Sequence, residues 1–215
     1  MIQLQTPDFW TTWISVALIG AWPLWVALKA TNGAFKDTFG IDIAEWFLLR
    51  LFPYTDIKRQ GEDDIYLRRF FIYPRNKDFS QNKLKRRIYL HKFYKGDEDP
   101  HMHDHPWGFT SLILTQGYWE ETSDADADLP GGTDRCYTLG PDYEKRSQKW
   151  YGPRSILRRP AAWRHRVVLD NNKPVWSLVR TGVKERSWGF WIDGEQCPWR
   201  KYDGQLGVCE DDISE

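Results

Sequence analysis

The sequence predicts an all-β fold behind a helical N-terminal part, and three observations predict it. From about residue 64 the hydrophobic pattern takes a period of two. Its apolar runs are short and rich in β-branched and aromatic residues, and Pro, Gly, Asn and Asp bound them. Seven such runs (IYLRRFFIYP, RRIYLHKFYK, FTSLILTQGYWEE, RSILRRP, HRVVL, PVWSLVRTG and SWGFWI) follow one another without a helical pattern between them. That succession argues for an antiparallel sandwich or barrel.

The elements ahead of this region read differently. From Phe9 to Leu28 the run FWTTWISVALIGAWPLWVAL carries no charge for twenty residues, about the length that spans a bilayer as a helix. Trp10, Trp13, Trp22 and Trp25 lie towards its ends like an aromatic belt. The competing reading is a helix buried against the domain or in an oligomer interface, kinked at Pro23. Lys29, Lys36, Arg50, Lys58 and Arg59 all follow the run, so an anchor here would keep the main domain cytoplasmic, on the inner face of the membrane. IDIAEWFLLRLF (41–52) sets Ala44, Phe47, Leu48 and Leu51 at helical spacing, and Pro53 ends it. The expected organisation is therefore residues 1–63 with the apolar and amphipathic helices, 64–205 as the β domain, and 206–215 as an acidic tail. Within the β domain the widest gap, 122–150, is polar and glycine-bearing. It reads as a long loop with one short strand around Arg135 to Thr138.

Composition narrows the function classes. Thirty basic and thirty acidic residues cancel, so no global field recruits nucleic acid. Thirteen tryptophans and an aromatic content of 16% favour a core or cleft lined with rings. Cys136, Cys197 and Cys209 are odd in number and lack CxxC spacing, so neither a disulfide framework nor a zinc knuckle is expected. A reducing compartment is the simplest reading.

The chemistry concentrates in DPHMHDHPWGF, residues 99–109. His101, His103 and His105 alternate, so on a strand all three imidazoles share one face while Met102 and Asp104 take the other. Neutral imidazoles gathered in this way are good ligands for Zn, Fe, Ni, Cu or Mn. The outer two are roughly 13 Å apart along an extended strand, so one ion cannot take all three. Two can bind, and a further ligand must come from elsewhere. The remaining histidines are His91, which reads as structural in YLHKFYK, and His165.

These residues resemble the two-part signature of the cupins. The His103/His105 pair is followed by Gly117 at the family's glycine position. GPRSILRRPAAWRH then resembles the second motif, with Gly152 opening it, Pro160 at the proline, Ala162 in place of glycine and His165 at the histidine. More narrowly, HDHPWGFTSLIL and QGYWEE, followed by HRVVL, PVWSLV and WGFW, look like the small uncharacterised cupins of phages and bacteria.

The resemblance implies a cupin-like jelly roll (a double-stranded β-helix) holding a divalent transition metal on His103, His105 and His165, with Fe(II) favoured over Mn, Ni or Zn. His101 is then a fourth ligand or a second rank behind the first three. Cupins commonly pair, which implies a homodimer. One departure matters: where the first motif carries its glutamate ligand, this chain has Phe109 or Thr110. A triad of two histidines and a carboxylate is therefore disfavoured.

By alternation, several rings, Trp107, Tyr118 and Trp176 among them, fall inside a barrel mouth, where they meet a small-molecule substrate or serve as core. Arg180 is the candidate inward cation for a carboxylate or phosphate, the other reading being a surface salt bridge. Glu120 and Glu121 offer a base, though carboxylates near a strand end are commonly solvated. The function expected is a metal-dependent enzyme acting on a small molecule at an open three-histidine site, dioxygenase-like in its chemistry. The alternative is a non-catalytic ligand-binding or sensing module on the same scaffold. A stabilising metal clip is a third reading.

Overall fold

The computed structural model describes residues 42–59, 63–75, 86–123, 133–139, 145–204 and 206–209. The uncharged run 9–28 and the acidic residues 210–215 lie outside the described residues. Among the described residues, no helix is long and apolar enough to cross a membrane.

The amphipathic helix forms as expected, as α1 (Ile43–Leu51). Asp42 Oδ1 accepts the Glu45 backbone N–H at 3.0 Å, a carboxylate cap on the positive end of the helix. Arg50 lies in the last turn, its guanidinium 3.4 Å over the Trp46 ring. The β structure belongs to a separate unit that begins at Phe52.

Among its described residues that unit holds fifteen strands: β1 (Tyr54–Lys58), β2 (Ile65–Tyr73), β3 (Ile88–Phe93), β4 (Met102–His103), β5 (Phe109–Ile113), β6 (Tyr118–Ser123), β7 (Thr133–Leu139), β8 (Lys145–Tyr151), β9 (Ile156–Arg159), β10 (His165–Leu169), β11 (Val175–Thr181), β12 (Gly189–Ile192), β13 (Glu195–Pro198), β14 (Tyr202–Asp203) and β15 (Val208–Cys209). The first sheet runs β1-β2-β3-β11-β5-β9 and the second β13-β12-β4-β10-β6-β8-β7. The assigned pairings are antiparallel. When β3, β4, β5, β6, β8, β9, β10 and β11 are numbered first to eighth, the sheets carry the orders 1-8-3-6 and 2-7-4-5. That is the strand order of a jelly roll made of two Greek keys, the arrangement cupins share. The chain is all-β and cupin-like in its fold.

Alternation decides what faces the space between the sheets. In β10, His165, Val167 and Leu169 are buried while Arg166 and Val168 are less so. Val167 and Leu169 join Ile113, Tyr118, Tyr151, Leu157 and Val175 in one apolar cluster. The turn from β5 to β6 needs its glycine: Gly117 has φ +134°, and a Cβ there would lie 2.7 Å from the Tyr151 carbonyl oxygen.

Three features depart from the expectations. β1 precedes residue 64 and pairs with β2. The stretch 122–150 is not one long loop, because β7 and β8 pair with each other and β8 continues the sheet beside β6. Its sequence, KRSQKWY, hid it, since Arg146 is a buried residue of this strand, 1% exposed, with Nη1 donating to the Pro100 carbonyl at 2.7 Å. Finally, Cys197 and Cys209 form a disulfide. The β12–β13 and β14–β15 hairpins bring their Cα atoms to 5.6 Å, within disulfide reach, although the cysteine spacing gave no sign of it. Cysteine usage therefore no longer argues for a reducing compartment.

Candidate metal centre

His103 and His165 stand directly opposite each other, one on β4 and one on β10. Facing positions of an antiparallel pair place their side chains side by side. The chain leaves β4 at Asp104, and the His105 N–H donates to the Ala161 carbonyl at 3.0 Å. This bend brings His105 to the same place rather than one strand step further on. Ring centroids lie 5.1 Å apart for His103–His105, 5.1 Å for His103–His165 and 5.0 Å for His105–His165. One ring nitrogen from each residue lies within 4.8 Å of the others. The structure thus brings together the expected trio.

The residues between and behind these histidines hold them in place. Asp104, fully buried on the opposite face as its parity predicts, accepts from Gly189 N at 2.9 Å, Gln196 Nε2 at 2.8 Å and Trp191 Nε1 at 3.2 Å. It also pairs with Arg186 Nη2 at 3.1 Å. The peptide joining His103 to His105 is thereby fastened to β12 and β13.

Behind His165 lies Glu120, 1% exposed. Its Oε1 is 2.7 Å from His165 Nδ1 and accepts from Trp163 Nε1 at 3.2 Å, and its other oxygen pairs with Arg159. Arg159 Nη2 also donates to the Tyr151 hydroxyl at 3.0 Å. A carboxylate on one imidazole nitrogen fixes the ring so that the other nitrogen, Nε2, points at the cluster. Glu120 and Glu121 are thus not solvated carboxylates; both are buried. The signal for Glu120 was its parity with the inward Tyr118. His103 has a looser counterpart in Asp97, whose Oδ2 lies 3.9 Å from His103 Nδ1 and accepts the Val167 N–H at 2.6 Å.

Burial keeps His103 and His105 neutral. Burial outweighs the attraction of Asp97 and, with the charges of His165 and Arg166, lowers the His103 pKa to about 4. His105 is held well below its ordinary value, by burial first and then by the other two histidines. Burial alone would raise the Glu120 pKa, but the hydrogen bond and charge of His165, followed by those of Arg159, bring it down to about 2. Neutral imidazoles with converging lone pairs are the protonation state a metal requires.

Phe109, where the cupin glutamate would fall, packs edge-on to His105 with ring centroids 4.9 Å apart, and lies 6.0 Å from His165. An aromatic ring fills that side of the cluster. His101 is no substitute. It turns away, its Nε2 lying 3.1 Å from the Gly207 carbonyl oxygen and its ring edge-on to Tyr202.

The trio opens on a cavity of about 290 Å³ between the sheets, with Trp107, Tyr118, Phe93 and Trp188 among its walls. Trp107 and Tyr118 are therefore where the sequence placed them. Trp176 is not: it lies on the other face of the first sheet, stacked on Phe70 with centroids 5.9 Å apart. Arg180 is exposed, because Val175, Ser177, Val179 and Thr181 are the inward parity of β11. Among the described residues, the cation on the cavity wall is instead Arg69 of β2, beside His91 of β3. The sequence reading did not single out Arg69.

No protein-family model matches this sequence, and no curated protein matches it. Among solved structures, the chain is similar to a cupin-2 domain protein from Rhodospirillum rubrum, at 9% identity over 66% of this chain and 76% of that one, with a TM-score of 0.42. It is similar to the polyketide cyclase RemF from Streptomyces resistomycificus at 10% identity, over 65% of this chain and 79% of that one, with a TM-score of 0.41. An oxalate decarboxylase variant from Bacillus subtilis is 14% identical over 66% of this chain and 30% of its own length, with a TM-score of 0.40. The fold assignment rests on the strand order described above.

Proposed function

We propose that the β unit beginning at Phe52 is a metal-dependent domain in which His103, His105 and His165 hold a divalent transition ion that acts on a small molecule in the adjoining cavity. The observation that carries this reading is the meeting of three imidazoles, with the Nε2 atoms of His105 and His165 2.8 Å apart. Adjacent ligands on an ion with bonds of about 2.1 Å stand about 3 Å apart, so the donor set fits with small adjustment. Such an ion supplies Lewis-acid or redox chemistry at the positions the protein leaves open. An all-imidazole set suits Fe(II), with Mn, Ni or Zn as the alternatives, and a redox-active ion in an aromatic cavity favours dioxygenase-like oxidation. Glu120 orients His165, Asp104 fixes the His103–His105 segment, and the aromatic walls exclude water. Metal analysis of the purified protein, followed by oxygen consumption across candidate substrates, tests both halves of the proposal. No metal on the wild-type chain would contradict the first; no turnover of any substrate would contradict the second.

One observation favours a non-catalytic binding or sensing module instead. Asp97 and Glu120, the carboxylates around the trio, are both engaged: Asp97 by Tyr66 and Val167, Glu120 by His165, Arg159 and Trp163. Neither is left to serve as a base, so a ligand that binds and is not turned over decides for the module. The uncharged run 9–28 supports attachment of either version to the inner face of a membrane. Recovery of the whole chain without detergent in the soluble fraction would contradict that attachment.

A further inference from the structure

Across the first sheet, facing positions line up Arg69 of β2, His91 of β3 and Ser177 of β11 in one polar row on the cavity wall. The neighbouring inward positions of the same strands include Leu67, Phe93, Tyr89 and Val179, which are apolar or aromatic. Arg69 Nε donates to His91 Nε2 at 3.1 Å, which requires that nitrogen to be the acceptor and leaves the proton on Nδ1. Burial, and then the charge of Arg69, hold His91 well below its ordinary pKa, so it stays neutral and cannot answer that charge. The guanidinium also lies 4.9 Å from the centre of the Tyr89 ring. Among the described residues, its terminal nitrogens meet no carboxylate and no hydrogen-bond acceptor.

Arg69 is partly buried, and even a partly desolvated charge is less favourable without a counter-charge. The adjacent Arg68, pointing to the other face, shows the ordinary solution, with Nε and Nη2 on the Asp56 carboxylate at 2.6 and 2.8 Å. Arg69 lacks that partner and faces the cavity. A divalent ion on the three histidines would add further positive charge to the same space, with Asp97 already engaged.

We infer that the cavity takes a small organic carboxylate whose anionic end sits on the terminal nitrogens of Arg69 and whose apolar body lies along the aromatic walls towards the three histidines. A single planar guanidinium fork matches one planar carboxylate, whereas a phosphate calls for further donors. His91 is a positioning residue here: by occupying Nε it turns the two terminal nitrogens inward. This assignment names the substrate class of the proposed metal site and rests on that cavity being a binding site, but it does not need the metal.

The test is titration with benzoate and with benzamide, which share a shape and differ in charge, read by tryptophan fluorescence because Trp107 and Trp188 line the cavity. It is run on the purified protein and again after chelator treatment, so that benzoate bound to a metal is told apart from benzoate bound to Arg69. Benzoate should bind in both samples, with benzamide weaker by about tenfold or more, the value of a charge-assisted pair. Arg69→Gln should lose benzoate by a similar factor, keep its weak benzamide binding and keep its metal content. Equal binding of the two ligands by the chelated wild type, or undiminished benzoate binding by Arg69→Gln, overturns the assignment. The two-ligand comparison stands even if that variant does not fold. Arg69-dependent benzoate binding by a wild-type chain that carries no metal upholds the carboxylate site while removing the metal reading. Metal retained with no Arg69 dependence does the reverse.

Discussion

The two sheets of the barrel treat charged side chains in opposite ways. On the second sheet, Glu120 is matched by His165 and by Arg159 reaching across from β9, and Glu121 by Arg166 at 2.8 Å and Arg146 at 3.8 Å. On the first sheet, Arg69 faces the same cavity with a neutral imidazole and an aromatic ring for company. The histidine side is a self-contained, pre-organised constellation. The opposite wall carries a charge that a ligand is left to neutralise. A site built in this way holds its own chemistry rigidly and selects what enters by charge.

Removing Glu120 should break the self-contained side most severely. Glu120→Ala leaves Arg159 buried without its counter-charge and should cost about 3–5 kcal/mol in chemical denaturation. A loss within the range of ordinary surface substitutions would show that the pairing does not stabilise the fold. Asp104→Ala, which frees four polar partners, should cost about 2–3 kcal/mol and loosen the segment between His103 and His105.

Acid should separate the two kinds of group in metal-free protein. The His103 pKa is lowered from 6.5 to about 4, so between those values the unfolded chain takes up the proton first and stability falls as pH falls. The Glu120 pKa is lowered from 4.5 to about 2, so its contribution is fully present above pH 4.5 and is lost towards pH 2. Glu120→Gln should remove the lower stage and leave the upper one, as followed by denaturation midpoints against pH.

Smaller effects sharpen the contrast. Glu120→Gln should weaken metal binding by about 10–100-fold, the usual effect of losing a carboxylate behind a ligand histidine. Asp97→Asn, acting over 3.9 Å, should change it less. Arg180→Ala, on the exposed face of β11, should alter stability by no more than about 0.5 kcal/mol and leave benzoate binding untouched.

What was legible in the sequence follows the same division. Strand geometry showed that three alternating histidines cannot all hold one ion. The resemblance to the cupin motifs, through Gly117 and His165, then chose His103, His105 and His165, while His101 stayed open as a fourth ligand until the structure set it against Gly207. The inward face of β11 could not be read, because VWSLVR has apolar residues at both parities: Trp176 and Leu178 alternate with Val175 and Val179. Arg180 was therefore assigned to the wrong face, and Trp176 with it. In β2, Arg68 and Arg69 are adjacent, and only the pairing with β3 shows which of them enters the cavity. The Cys197–Cys209 bond depends on two hairpins meeting, which no local pattern records.

The central claim is that His103, His105 and His165 are metal ligands. Elemental analysis by ICP-MS of wild-type protein and of the His103→Ala/His165→Ala variant, purified side by side, tests it most directly. The account predicts a stoichiometric first-row transition metal on the wild type and none on the double variant. Equal metal content in the two would contradict it.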